Sequence, residues 1–234
     1  MTDQATRDLL AAGNEALLEA AFRTGDYTEA QTLLRQAFEQ AGDGSAAEAD
    51  VLDRLGWLSH FQALDRGIDA THVDDELASF QRALTIRREI GDPGGVAGAL
   101  FGIAVAHHVL RGDWDTAMPF LWEALELADP HADDLTRSEV HRHVGFYYLV
   151  RDVRPERAIE HLTISQDLRE RHGDPRWIPS GIVALGEAHL EFGHRDEAVR
   201  LLRDAVRLAK EANLHPRRIG WAADALRRAE SPDA

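Results

Sequence analysis

The amino-acid sequence predicts an all-α chain made by repeating one helix-turn-helix unit, and three observations carry that prediction. The first is the run from Leu185 to Leu208. Leu185-Gly186, His189, Gly193, Ala198, Leu202 and Ala205 fall at the spacing of two short antiparallel helices that cross at small side chains. Gly186 and Ala198 let the backbones approach, while Leu185, Leu202 and Ala205 fill the seam and Gly193 breaks the pair. The second is recurrence. The second-helix signature returns as Ala30/Leu34/Ala37, Phe80/Ala83, Ala117/Leu121/Ala124 and Ala158/Leu162, and Ala83, Ala124, Ser165 and Ala205 stand 41, 41 and 40 residues apart. The third is punctuation: the block Ile86-Arg87-Arg88-Glu89-Ile90-Gly91-Asp92-Pro93 is echoed by Leu168-Arg169-Glu170-Arg171-His172-Gly173-Asp174-Pro175.

The elements follow in order. A helix is expected over about Gln4–Phe22 with Leu9, Leu10, Leu17 and Leu18 inward, and its partner over about Thr28–Ala41 with Leu33, Leu34, Ala37 and Phe38 inward. Gly42-Asp43-Gly44-Ser45 closes that unit. Ser45 as N-cap and Glu48 three residues on form a capping box, so the next helix starts there and reaches about Leu64, with Leu55-Gly56 as its crossing pair. From Asp65 to Asp74 about eight residues are inserted as a loop, and the second helix resumes near Asp75. The third unit opens after Gly91-Asp92-Pro93-Gly94-Gly95, carries Phe101-Gly102 and Ala104, and has its second helix over Trp114–Ala128, ended by Asp129-Pro130. Asp133 or Asp134 caps the fourth unit, with Val144-Gly145 and Tyr147-Tyr148 on its first helix and Pro155 near the start of its second. After the fifth unit, His215-Pro216 begins a last helix whose Ile219, Ala222, Ala223 and Leu226 form one apolar face, suited to covering the exposed end of an array. The units span about 4–42, 45–91, 94–129, 133–173 and 176–212, with the covering helix at 216–229, and they are read as one array over 1–234.

Small-residue crossings, a turn glycine and an Ala-x3-Leu-x2-Ala second helix resemble the tetratricopeptide repeat (TPR). Gly25-Asp26-Tyr27 and Gly112-Asp113-Trp114 stand before second helices, where that family carries Gly-Asp-aromatic. The resemblance implies a right-handed superhelical array whose concave groove is made by the first helices. Carried onto this chain, the groove positions are Glu15 and Glu19, Asp53, Trp57 and His60, Ile103 and His107, Arg142, Phe146 and Tyr147, and Glu187 and Glu191. The period of roughly 40 residues with Gly-Asp-Pro punctuation also resembles the arrays attached to actinobacterial transcription regulators, which implies a regulatory or sensor role.

Composition narrows the chemistry. Among 234 residues there is no cysteine, which removes disulfides, thiol catalysis and cysteine-ligated metals. A net charge of −15 opposes nucleic-acid binding and favours a basic partner. The start of the chain has no basic and apolar leader pattern, and the nearest approach to a membrane span is the short run Gly102–Val109, so a cytoplasmic protein without a membrane segment is expected.

Twelve histidines invite a metal hypothesis, and His60, His107, His108, His141, His143 and His189 fall on first helices. Their spacing opposes it. No His-x3-His pair occurs on those helices, and His141 and His143 point about 200 degrees apart at helical periodicity. Asp129, His131, Asp133 and Asp134 lack the order of a calcium loop and suit helix capping. No phosphate loop, nucleophile elbow or dinucleotide fingerprint is present, so no cofactor and no catalytic residue is expected. The expected function is a non-catalytic scaffold that binds a basic protein or peptide carrying an apolar anchor, with acidic groove ends and aromatics between them. The alternative is a small-molecule or metal-binding protein, or an enzyme, using Trp57, His60, His107, Arg142 and Tyr147.

Overall fold

Short polar side chains decide where these helices begin. Ser45 accepts from the Glu48 backbone N–H at 3.1 Å while the Glu48 carboxylate takes the Gly44 N–H at 2.5 Å, which is the expected reciprocal cap displaced by one residue. Asp92, Asp113 and Asp133 do the same work, accepting from the N–H groups of Gly95, Thr116 and Thr136 at 3.0, 3.0 and 2.8 Å. Pro93 and Pro155 stand at first helical positions, where a missing N–H costs nothing.

The computed structural model describes residues 2–67 and 70–231, and among these it holds eleven α-helices and no strand. The chain divides into two compact units, Met1–Ala132 and Asp133–Ala234. In the first, α1 (Thr2–Glu19) runs on into a π-helical turn at Ala20–Thr24 and is followed by α2 (Thr28–Gln40), α3 (Ala46–Arg66) and α4 (Ala70–Ile90). It ends with α5 (Pro93–Val105), which runs into a second π-helical turn at Ala106–Leu110, and α6 (Trp114–His131). The second unit holds α7 (Asp134–Val150), α8 (Pro155–His172), α9 (Ile178–Glu191), α10 (Arg195–Glu211) and α11 (Pro216–Glu230). Within each unit the strongest packing joins helices that are neighbours in sequence.

The crossings are made as small residues require. A Cβ placed at Gly186 would lie 2.8 Å from Leu202, and one at Gly145 would lie 2.7 Å from Leu162, so each glycine admits the leucine of its own partner helix. Gly13 does the same for Leu34 at 2.8 Å, a crossing the sequence reading did not assign. In α4 the leucine position is Phe80. Its ring lies against Gly56 of α3, where a Cβ would come within 2.7 Å, and against Gly102 of α5, where it would come within 2.5 Å. One side chain thus closes its own helix pair and the joint to the next.

Gly186→Leu and Gly145→Leu are therefore expected to cost about 2 kcal/mol each, since a branched side chain forces the pair apart. Gly220→Ala, where a Cβ meets nothing within 4 Å, should instead stabilise by about 1 kcal/mol. Urea melts of the three variants check the order.

Several expectations are corrected. The stretch Asp65–Asp74 is not a loop: α3 continues to Arg66 and α4 is already helical from Ala70, so the added residues lengthen both helices, residues 68–69 lying outside the described ones. The Tyr27 hydroxyl donates to Asp65 at 2.6 Å and ties down the extended end of α3. Pro130 does not end α6, which reaches His131 because the N–H missing at residue 130 belongs to its last turn. Phe38 is 42% exposed, since Ala30, Leu34 and Ala37 suffice to bury α2. The apolar stretch is also longer than the sequence reading allowed: Pro93–Leu110 is long and apolar enough to cross a membrane, and 67% of it is buried inside the chain's own core. That burial accounts for its composition.

The final helix lies against the pair before it. Ala225 and Ala229 join Ala198 and Leu202 in one cluster, and Ala222 joins Ile182 and Ala205 in another, so α11 covers α9 and α10.

Candidate partner-binding face

The first unit gathers an aromatic platform on α3 and α5. The Trp57 ring is half-buried, with Phe80 edge-on beneath it at 5.3 Å and Phe101 beside it at 5.5 Å between centroids. Phe61 lies 6.2 Å away on the same helix, itself edge-on to Phe22 at 6.3 Å. Phe80 and Phe101 are 0% and 3% exposed, so the exposed part of Trp57 stands on a rigid base.

One turn before Trp57, Asp53 belongs to an ionic cluster around Arg87. The guanidinium of Arg87, whose side chain is 10% exposed, meets Asp50 at 2.5 Å, Asp53 at 2.9 Å and Asp92 at 2.6 Å. A Cβ at Gly95 would collide with Arg87 and Asp92, so this glycine makes room for the cluster. Asp53 gives only Oδ2 to Arg87, and its buried Oδ1 has no hydrogen-bond partner among the described residues. Burial pushes the Asp53 carboxyl up to about 6, against the pull of Arg87.

The other expected positions of this unit divide. His60 is 5% exposed and its Nδ1 lies 3.1 Å from Glu76, which is 0% exposed, so the pair is sealed under the platform. Burial raises the Glu76 carboxyl, and His60 opposes that rise. Ile103, 1% exposed, is core and not groove: α5 is packed on most of its circumference and has little outward face to give. His107 is half-buried and lies parallel to Phe120 at 6.2 Å, and burial together with Arg111 lowers its pKa.

In the second unit the Arg142 guanidinium lies 4.5 Å from the centroid of Phe146, a cation on an aromatic face. Burial, with Arg169 nearby, brings Arg142 down to about 10. Tyr147 is half-buried, edge-on to Tyr148 at 5.5 Å. Glu187 is paired with Arg228 of α11, while Glu191 is exposed at the end of α9. Two of the expected groove carboxylates, Asp53 and Glu187, are thus already matched by arginines of the chain itself, and Glu19 is matched by Arg23 at 2.9 Å.

The sequence reading missed the two arginines that organise these faces. Arg169 is 1% exposed, donates to the Trp177 carbonyl at 2.7 Å and the Ser180 hydroxyl at 2.5 Å, and pairs with Glu139. Arg87 and Arg169 occupy the same place in the two echoed blocks, four residues before the glycine, and each stitches a second helix to the first helix before it. That shared place was the available signal. Among the described residues no group of three or more His, Asp or Glu side chains is arranged to hold a metal ion.

The family model of anaphase-promoting complex subunit 5 matches residues 17–137 and 143–215, more than half of the chain. The chain belongs to that family. It is a TPR-like repeat family, and the solved structures agree in fold. A thermophilic TPR protein of Thermus thermophilus, TTC0263, is similar with a TM-score of 0.60 at 20% identity, over 94% of this chain and 98% of that one. BtubC (BKLC) from P. vanneervenii is similar with a TM-score of 0.57 at 18% identity, over 91% and 92%. The nearly identical TPR-like repeats of a putative kinesin light chain from Podosopora anserina give 0.52 at 14%, over 88% and 95%. No curated protein matches the chain by sequence. TPR-like helical repeats typically serve as protein-interaction scaffolds, and the fold of this family member is of that kind.

Proposed function

We propose that this chain is a non-catalytic scaffold that binds a segment of a partner protein on the outward faces of its first helices, with Trp57 receiving an apolar side chain. The observation that carries the reading is the platform itself. A large ring held half-exposed on a buried aromatic base is the arrangement that concentrates binding energy in an interface. Membership in a family named for a subunit of a multiprotein complex supports a role within an assembly. A basic partner follows from the net charge of −15, and it approaches the first unit through its three clustered aspartates rather than through a uniformly acidic groove. A regulatory or sensor role through such a partner, in the cytoplasm, is the finer form of the same reading. The enzymatic alternative is weaker, because the acid–base pair His60 with Glu76, close to Trp57, is sealed from substrate.

Trp57→Ala is expected to cost about 2 kcal/mol or more of affinity for a captured basic peptide and to act mainly by speeding dissociation. Rising salt should slow association and leave dissociation nearly unchanged. Surface-binding kinetics separate the two effects, and an unchanged off-rate for Trp57→Ala with an intact helical spectrum would remove the platform from the reading.

A further inference from the structure

The other deeply placed arginines of this chain come with carboxylates. Arg87, Arg169 and Arg176, whose side chains are 10%, 1% and 11% exposed, are paired with Asp53 at 2.9 Å, with Glu139, and with Asp174 at 2.7 Å. Arg142 is not paired. Its Nε is buried without a hydrogen-bond partner, and no carboxylate among the described residues forms an ion pair with it. The two carboxylates that act on it, Glu139 and Glu187, are already held by Arg169 and Arg228, while Arg169 and Arg218 repel it. What holds it is the ring of Phe146, 4.5 Å from its Cζ, and that ring packs in turn on the buried cluster of Leu162, Ala184 and Ala188.

Such a group costs stability in the free protein. Burial, with Arg169 beside it, brings Arg142 down to about 10, so it stays charged at neutral pH with its solvation reduced and no counter-charge to offset the loss. An aliphatic side chain would pack on Phe146 without that penalty. The cation is nevertheless within reach of a ligand: the residue is half-buried, and while Nε is sealed, Nη1 and Nη2 keep contact with solvent. The surroundings match one negative charge rather than two. Asp133–Ala234 carries 17 of the 26 Lys and Arg residues but only 18 of the 41 Asp and Glu, so this unit is nearly neutral, and Glu139 and Glu187 border the guanidinium.

We propose that Arg142 is the anchor for an aspartate or glutamate side chain of the partner segment, whose carboxylate accepts end-on from Nη1 and Nη2 while the guanidinium stays on the Phe146 ring. The planar fork suits two parallel hydrogen bonds to one carboxylate, and the buried Nε leaves that end-on approach as the open one. This rests on the scaffold reading above and adds an acidic residue to a segment otherwise basic and apolar. Arg142 is then a specificity-determining residue, because a partner lacking the carboxylate leaves the cation as poorly compensated as it is in the free protein.

The test uses the full chain and an immobilised array of peptides amidated at the C-terminus, each carrying one Leu or Phe, one Lys and one Glu at varied spacing, beside copies with Gln or phosphoserine in place of Glu. At the spacings that bind, the parent should prefer Glu over Gln by about tenfold or more. Arg142→Met should abolish that preference and melt no lower than the parent, whereas Arg169→Met, which strands Glu139, should melt lower. Arg142→Lys should keep part of the preference. If the parent does not distinguish Glu from Gln, if Arg142→Met still does, or if Arg142→Met melts as low as Arg169→Met, the anchor proposal is overturned; phosphoserine copies outranking the Glu ones would overturn the choice of a carboxylate. Loss of binding by Trp57→Ala without any Glu preference in the parent would leave the scaffold reading standing alone, and failure of the parent to bind any peptide would sink both.

Discussion

Phe80→Ala is expected to destabilise the first unit by about 3–5 kcal/mol, the cost of emptying a fully buried aromatic site. The ring is 0% exposed and fills the space against two glycines on two different helices, with Trp57 edge-on at 5.3 Å. Neither Gly56 nor Gly102 has a side chain that can move into the vacancy, so relaxation is poor and the cavity term stays large. Phe38→Ala, at a position 42% exposed on α2, should change stability by less than about 1 kcal/mol. Urea melts of the two variants compare one residue type in two settings. A loss at Phe80 no greater than that at Phe38 would mean that the joint between α3, α4 and α5 is not built as described.

The second large effect is electrostatic. Glu139→Gln removes the counter-charge of Arg169, whose side chain is 1% exposed, and leaves a buried guanidinium held only by neutral acceptors. The expected loss is about 3–5 kcal/mol. Glu123→Gln breaks the pairing with Arg88, where both side chains are roughly half exposed, at 46% and 53%, and should cost no more than about 1 kcal/mol because water already screens that pair. Replacing both partners, Glu139→Leu with Arg169→Met, should recover much of the loss, since the penalty comes from stranding one charge rather than from losing the pair. Equal effects of the two Glu→Gln changes on the melting temperature would count against a buried role for Arg169.

Most of the architecture was legible because local chemistry writes it. Ser45, Asp92 and Asp133 mark helix starts through their own side chains, Gly173 marks an end through its left-handed backbone, and Leu162 and Leu202 announce crossings by their distance from Gly145 and Gly186. What failed depends on partners distant in sequence. The length of α3 and α4 is a response to the added residues and to Tyr27 reaching Asp65, neither of which has a local signature. The TPR resemblance puts Trp57 among the groove positions, but the residues it packs on, Phe80 and Phe101, come from other helices. Asp53 and Glu187 fall at groove positions by the same resemblance, and the arginines that hold them lie 34 and 41 residues away, beyond the reach of local sequence pattern.

The packing of each helix on its sequence neighbours also bears on how the chain acquires its structure. No pairing of helices within a unit needs distant parts of the chain to find each other, so each step closes only a short loop and loses little chain entropy before contacts repay it. Structure can therefore form in the order of synthesis. Once Ala132 has left the ribosome, every helix that packs into Met1–Ala132 is present, and its core can close while Asp133–Ala234 is still being made.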